Sequence, residues 1–127
     1  MRNSIKAFKA LSDETRLRVL NLVLERECCV CEVMQALEIT QSKASRHLSA
    51  LCDAGFLKFR KEGLWSLYSI DDGMEDYLSD MVSAVKKSLI ENKEAKMDRE
   101  RLKTTKRTNI ACTSCVSETP PVFQGKI

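Results

Sequence analysis

With 127 residues, 43% of them hydrophobic and 31% charged, the chain has the balance of a globular protein with room for one domain and a tail. No apolar run approaches the roughly 18 residues of a membrane span. Met1 to Lys6 hold no apolar signal core, and together these features predict a cytoplasmic protein without a membrane partner. The net charge of +3 is too small to name a nucleic-acid partner, but residues 1–90 balance 13 basic against 13 acidic side chains and leave the whole excess to residues 91–127.

Ile5, Phe8 and Leu11 recur at helical spacing over residues 4–11. Ser12, Asp13 and Glu14 then read as an N-cap followed by an acidic first turn. They open a second helix over residues 13–25, with Leu17, Leu20, Val23 and Leu24 on its buried face. A short third helix is predicted from Val30 to Glu38, burying Val33, Met34 and Leu37. Ile39 and Thr40 make the turn. Thr40 caps a fourth helix that runs to Ala54 and buries Ala44, Leu48 and Leu51, with Gly55 where a C-cap belongs.

Beyond Gly55 the period changes. Phe56 to Lys61 and Leu64 to Ile70 are rich in aromatic and branched residues, and Glu62-Gly63 between them reads as the two-residue turn of a hairpin. Asp72, with Glu75 three residues on, predicts the cap of a fifth helix. Its apolar stripe is Met74, Tyr77, Leu78, Met81, Val82, Val85 and Leu89. Residues 91–103 alternate in charge around few apolar anchors and predict a polar helical extension, solvated or frayed. Residues 104–127, with Pro120-Pro121, Gly125 and little to bury, read as a flexible tail carrying Cys112 and Cys115.

Two short helices joined by a tight turn and followed by a hairpin give a mainly α fold with a β-hairpin wing, a winged helix-turn-helix, over residues 1–90. The second helix of such a pair enters the major groove with its N-terminal residues at the base edges. Those positions are Gln41, Ser42, Lys43, Ser45 and Arg46, residue types suited to base edges and phosphates. Lys58, Arg60 and Lys61 of the hairpin add phosphate contacts beside the groove. A helical domain with a solvated polar face is the plainer alternative. His47, the single histidine, sits beside Leu48 on a helix edge and suits a structural hydrogen bond better than a ligand role.

Of six cysteines, Cys28, Cys29 and Cys31 fall within four residues, which packing alone explains poorly. In a reducing compartment such a cluster points to metal or redox chemistry rather than to staples. Cys112-Thr113-Ser114-Cys115 is a lone CxxC, and Cys52 reads as core. One histidine, four glycines and no glycine-rich loop argue against an enzyme.

The stretch Glu27-Cys28-Cys29-Val30-Cys31-Glu32, with Ser45-Arg46-His47-Leu48, Gly55-Phe56-Leu57 and Arg60 to Tyr68, closely resembles the ArsR/SmtB family of metal-responsive repressors. Ala10 to Arg18 resembles the opening of that family too. The resemblance covers roughly residues 5–90 and implies a homodimer built on the first and last helices. It also implies binding to an inverted-repeat operator and repression relieved by metal. The arsenic sensors it resembles carry Cys-Val-Cys and a further Cys three residues later. Cys29 and Cys31 match the first two, while Met34 stands at the third.

Soft thiolates select soft ions, and arsenite accepts three sulfurs in a pyramid. The expected effector is therefore As(III) on Cys28, Cys29 and Cys31, with Cys112 or Cys115 as the alternative third donor. Cys28 and Cys31 share a helix face at i, i+3 whereas Cys29 and Cys31 do not, so gathering all three requires the helix start to unwind. The alternatives are Sb(III), a Cd(II) or Pb(II) sensor using four sulfurs, and a thiol redox repressor that needs no metal.

Overall fold

The structure, a computed structural model, describes residues 1–107. Six helices and three short strands follow one another as α1 (Arg2–Ala10), α2 (Glu14–Glu25), β1 (Cys28–Cys29), α3 (Val30–Leu37), α4 (Gln41–Asp53), β2 (Leu57–Glu62), β3 (Trp65–Ile70), α5 (Asp76–Leu89) and α6 (Lys93–Leu102) among those residues. The architecture is the expected mainly α winged helix-turn-helix, with β2 and β3 as the wing. No helix among the described residues is long and apolar enough to cross a membrane.

Asp13, one residue beyond the expected Ser12, caps α2 by accepting the Arg16 backbone N–H at 2.9 Å. Arg16 in turn donates to the Ala10 carbonyl at 2.7 Å, which closes the end of α1 onto the start of α2. The buried residues of α2 are Val19, Leu20, Asn21, Leu22 and Val23, so it is enclosed on more sides than a single stripe suggests, and Leu17 and Leu24 are only half-buried. In α1 the small residues Ala7 and Ala10 face the core, while Ile5 and Phe8 remain exposed.

The turn between α3 and α4 is built from Glu38, Ile39 and Thr40. Glu38 adopts φ 56° and ψ 49°, the left-handed conformation that ends a helix. Thr40 then caps α4 by accepting the Lys43 backbone N–H at 3.2 Å. Gly55 closes α4 at φ +96°, with Phe56 N–H returned to the Leu51 carbonyl at 3.0 Å. A side chain at Gly55 would also press on Leu78 of α5. Phe56, Leu48, Leu51 and Leu67 are fully buried and join this unit to α2.

The wing differs from expectation by one residue. Glu62 pairs with Trp65, which leaves Gly63-Leu64 as the turn. Gly63 at φ +63° supplies the positive dihedral such a turn needs in its first position. The fifth helix also begins later than predicted, at Asp76 with Glu75 as N-cap. The Asp71 carboxylate accepts the Gly73 N–H at 2.9 Å and holds a turn there, and Asp72 pairs with Lys58 instead of capping a helix.

Residues 91–103 are polar and mostly exposed, but one face of the helix they form is docked on the body. Helix α6 packs against α2 and α3 and buries Ala95, Asp98 and Leu102. Asp98 is fully buried and accepts from Arg18 at 2.8 and 3.0 Å and from Arg101 at 2.8 Å. Asn21 donates to the Ala95 carbonyl at 3.1 Å and accepts from Arg99 at 2.8 Å. The apolar periodicity is weak because charge pairing, rather than an apolar stripe, docks this helix.

Candidate metal centre and nucleic-acid interface

The cysteine cluster is not one helical turn. Cys28 and Cys29 form β1, which pairs antiparallel with the wing strand, Cys28 opposite Tyr68 and Cys29 opposite Leu67. Only Cys31 is inside α3, with Cys29 as its N-cap residue. Successive residues of a strand point to opposite faces. Cys28 and Cys29 therefore diverge, and the helical i, i+3 relation expected between Cys28 and Cys31 does not arise.

Cys29 and Cys31 do come together: they are joined as a disulfide, with Cα atoms 5.4 Å apart. Cys28 is a thiol that donates to the Arg26 carbonyl at 3.2 Å. Burial, aided by the Glu32 carboxylate, pushes its pKa up to about 12. All three sulfur-bearing residues are buried. Met34 is half-buried and packs against the core. Cys112 and Cys115 lie outside the described residues. Among the described residues, no group of three His, Cys, Asp or Glu side chains is arranged to hold a metal ion.

Glu32 organises the backbone around the pair. Its carboxylate is buried and accepts the Cys29 backbone N–H at 2.9 Å, which serves one of the orphan donors at the start of α3. Arg26 at 3.0 Å and Arg107 at 2.9 Å pair with the same carboxylate. A buried carboxylate with two cationic partners is the arrangement such a group needs. In the sequence Glu32 stands out only as the end of the stretch Glu27 to Glu32. Its partner Arg107 is 75 residues away in the chain, and no local signal joins them.

On α4, Ser42, Lys43 and Arg46 are exposed, and Gln41 and Ser45 are half-buried and bonded to each other at 3.1 Å. Lys43 and Arg46 form no ion pair among the described residues, so both cations face solvent at the N-terminal half of the helix. The wing cations are not equivalent. Arg60 is held by Glu27 at 3.0 Å and Glu62 at 2.6 Å, and Lys58 by Asp72 at 3.1 Å. Lys61 alone of the three has no ion pair among the described residues. His47 lies 3.5 Å from Arg16 and is held below its ordinary pKa, chiefly by burial. Cys52 is half-buried, and burial raises its pKa.

The profile described as "Bacterial regulatory protein, arsR family" matches residues 13–58, from the cap of α2 into the wing. The arsenic resistance transcriptional regulator ArsR1 of Pseudomonas putida is 42% identical over 79 residues, 61% of this chain and 62% of that protein. The cadmium resistance transcriptional regulatory protein CadC homolog of Staphylococcus aureus is 47% identical over 68 residues, 53% of this chain and 56% of that protein. The chain thus spans less than two thirds of either relative. The arsenical resistance operon repressor of Bacillus subtilis is 38% identical over 73 residues, 57% of this chain and 70% of that protein. Among solved structures, the homodimeric winged helix-turn-helix DNA-binding domain of a possible ArsR-family transcriptional regulator from Mycobacterium bovis superposes with a TM-score of 0.60 at 25% identity, covering 72% of this chain and 82% of that one.

Proposed function

The chain belongs to the arsR family of bacterial regulatory proteins, a family of regulators and not of enzymes, and from that premise we propose that it is a metal-responsive transcriptional repressor released by arsenite. The observation that carries the reading is the meeting of Cys29 and Cys31 at the start of α3, the helix that packs against α4.

In the DNA-bound state α4 lies in the major groove. Gln41, Ser42, Lys43, Ser45 and Arg46 face the bases and phosphates, and Lys61 reaches a phosphate from the wing. The protein acts as a homodimer. Met1, Ile5 and Phe8 stand exposed at i, i+4 and i+7 along α1, an apolar stripe that a second copy covers.

Cys29 and Cys31 hold the ion through soft thiolates, which favour As(III) and, by the same chemistry, Sb(III), Cd(II) or Pb(II). Residues 28–31 join β1 of the wing sheet to α3, so an ion seated on these sulfurs acts on both parts of the DNA-reading surface. An ion that binds better when these parts are displaced favours release by that difference in affinity. Including Cys28 as well requires β1 to unpair from β3, because its sulfur lies on the other face.

The disulfide favours a second reading, release by thiol oxidation. Cys29 and Cys31 joined to each other cannot hold an ion until two electrons and two protons restore the thiols. Band shifts under reducing conditions separate the two readings. Cys29→Ser and Cys31→Ser are expected to bind operator within about threefold of wild type and to resist release by arsenite. If either loses DNA binding altogether, the cysteines are structural and the effector reading fails.

A further inference from the structure

The cysteine loop reaches the wing by a side chain as well as by strand pairing. The sheet order is β1-β3-β2. Cys29 stands opposite Leu67, and Leu67 opposite Arg60, so the three form one row across one face of the sheet. Along that row Arg60 turns back toward the residue that leads into β1. Its Nε donates to Glu27 Oε2 at 3.1 Å and its Nη2 to Glu27 Oε1 at 3.0 Å. This two-pronged pair spans the central strand and ties the outer wing strand to the loop.

Glu27 is itself fixed on the loop side. Its carbonyl accepts from Arg26 at 3.0 Å and from Arg107 at 3.1 Å. Both arginines also hold the Glu32 carboxylate, which accepts the Cys29 backbone N–H at 2.9 Å. A shift of the Cys29 backbone is therefore shared with Glu27. On the wing side, Arg60 precedes Lys61, the wing cation that has no ion pair among the described residues. An ion pair with one partner 56% exposed adds little to stability, but a paired fork fixes the relative position of its two groups.

We propose that the Glu27–Arg60 ion pair transmits effector binding to the wing, so that an ion on Cys29 and Cys31 shifts Lys61 away from its phosphate. The proposal rests on reading that cysteine pair as the effector site. Glu27 and Arg60 are positioning residues and touch neither the ion nor the DNA. An ion that favours a displaced loop draws Glu27 off Arg60. Glu62, 2.6 Å from the same guanidinium, keeps the cation neutralised when Glu27 leaves. Strand β2 then loses its tie to the loop, and the wing is no longer held at the groove. Reciprocity requires that DNA on the wing hold the loop in turn.

The test titrates the full chain, reduced, with a labelled operator duplex, with and without inorganic arsenite. In wild type, arsenite is expected to weaken operator binding at least about tenfold. Glu27→Ala and Arg60→Ala should each shrink that ratio at least about threefold, and the double variant no further. The loss should fall on the affinity measured without arsenite, while the free variants take up arsenite no more weakly than wild type. Glu62→Ala leaves the tie in place and should keep the wild-type ratio. Wild-type ratios in Glu27→Ala and Arg60→Ala, or effects that add in the double variant, would overturn the proposal.

A second arm needs no ion. Amide hydrogen exchange over residues 26–31 is compared with and without the operator duplex. Slowing by DNA in wild type and Glu62→Ala, lost in Glu27→Ala and Arg60→Ala, is the expected result. No slowing in wild type, or equal slowing in every variant, overturns the assignment whatever arsenite does. If arsenite leaves wild type on the DNA while the expected exchange pattern holds, the effector reading fails and the tie between loop and wing stands.

Discussion

Asp13 illustrates how one side chain sets a boundary. The Arg16 backbone N–H holds its carboxyl below the ordinary value of 3.8. Its contribution to stability is therefore complete above that value and fades as pH falls through the lower folded-state pKa. Asp13→Ala is expected to destabilise the fold by about 1 kcal/mol near neutrality, the usual cost of a lost N-cap. Denaturant unfolding at pH 6 and pH 3 checks this: the gap between wild type and variant should narrow at the lower pH. The cap was legible to within one residue, Ser12 standing as the expected cap, because its partner is only three residues away. The divergence of Cys28 and Cys29 was not, because it depends on pairing with Tyr68 and Leu67, about forty residues on. A two-residue strand leaves no period to read.

Among elements, the recognition helix and the wing divide the work unequally. The helix-turn-helix could be read closely, since Thr40, Gly55 and the buried Ala44, Leu48 and Leu51 are all local signals. Charge counting alone gave the wing three equal cations. The structure shows Arg60 neutralised by Glu27, a residue before β1 that no local pattern connects to the wing, and by Glu62. Arg46→Ala is therefore expected to weaken operator binding and to flatten its salt dependence by about one unit of slope, the signature of a lost phosphate contact. Arg60→Ala should leave that slope near the wild-type value. Fluorescence anisotropy of labelled operator over a salt series distinguishes them, and equal losses of slope would contradict the division.

For the whole molecule, α6 turns the helix-turn-helix unit and the cysteine loop into one body. Its docking escaped periodicity because its central buried residue is Asp98, held by Arg18 and Arg101. Removing one partner of a buried ion pair is costly. Asp98→Ala is expected to lose roughly 3 kcal/mol, near the low end for such pairs, since Arg18 and Arg101 are partly exposed and can turn to solvent. Urea unfolding gives the loss, and hydrogen exchange should show α6 opening before α2 and α4. An unchanged midpoint would mean that α6 is not held by this network.

The central claim is that Cys29 and Cys31 sense a thiophilic ion and pass its binding to the DNA-reading surface. It is tested most directly by titrating the reduced protein, bound to its operator, with arsenite and separately with cadmium while following release of the DNA. Release by arsenite at the lower concentration, abolished by Cys31→Ser, is the predicted result. Release by cadmium alone would move the protein to a different sensor class, and release by neither ion, with release by oxidant, would contradict the metal-sensing account.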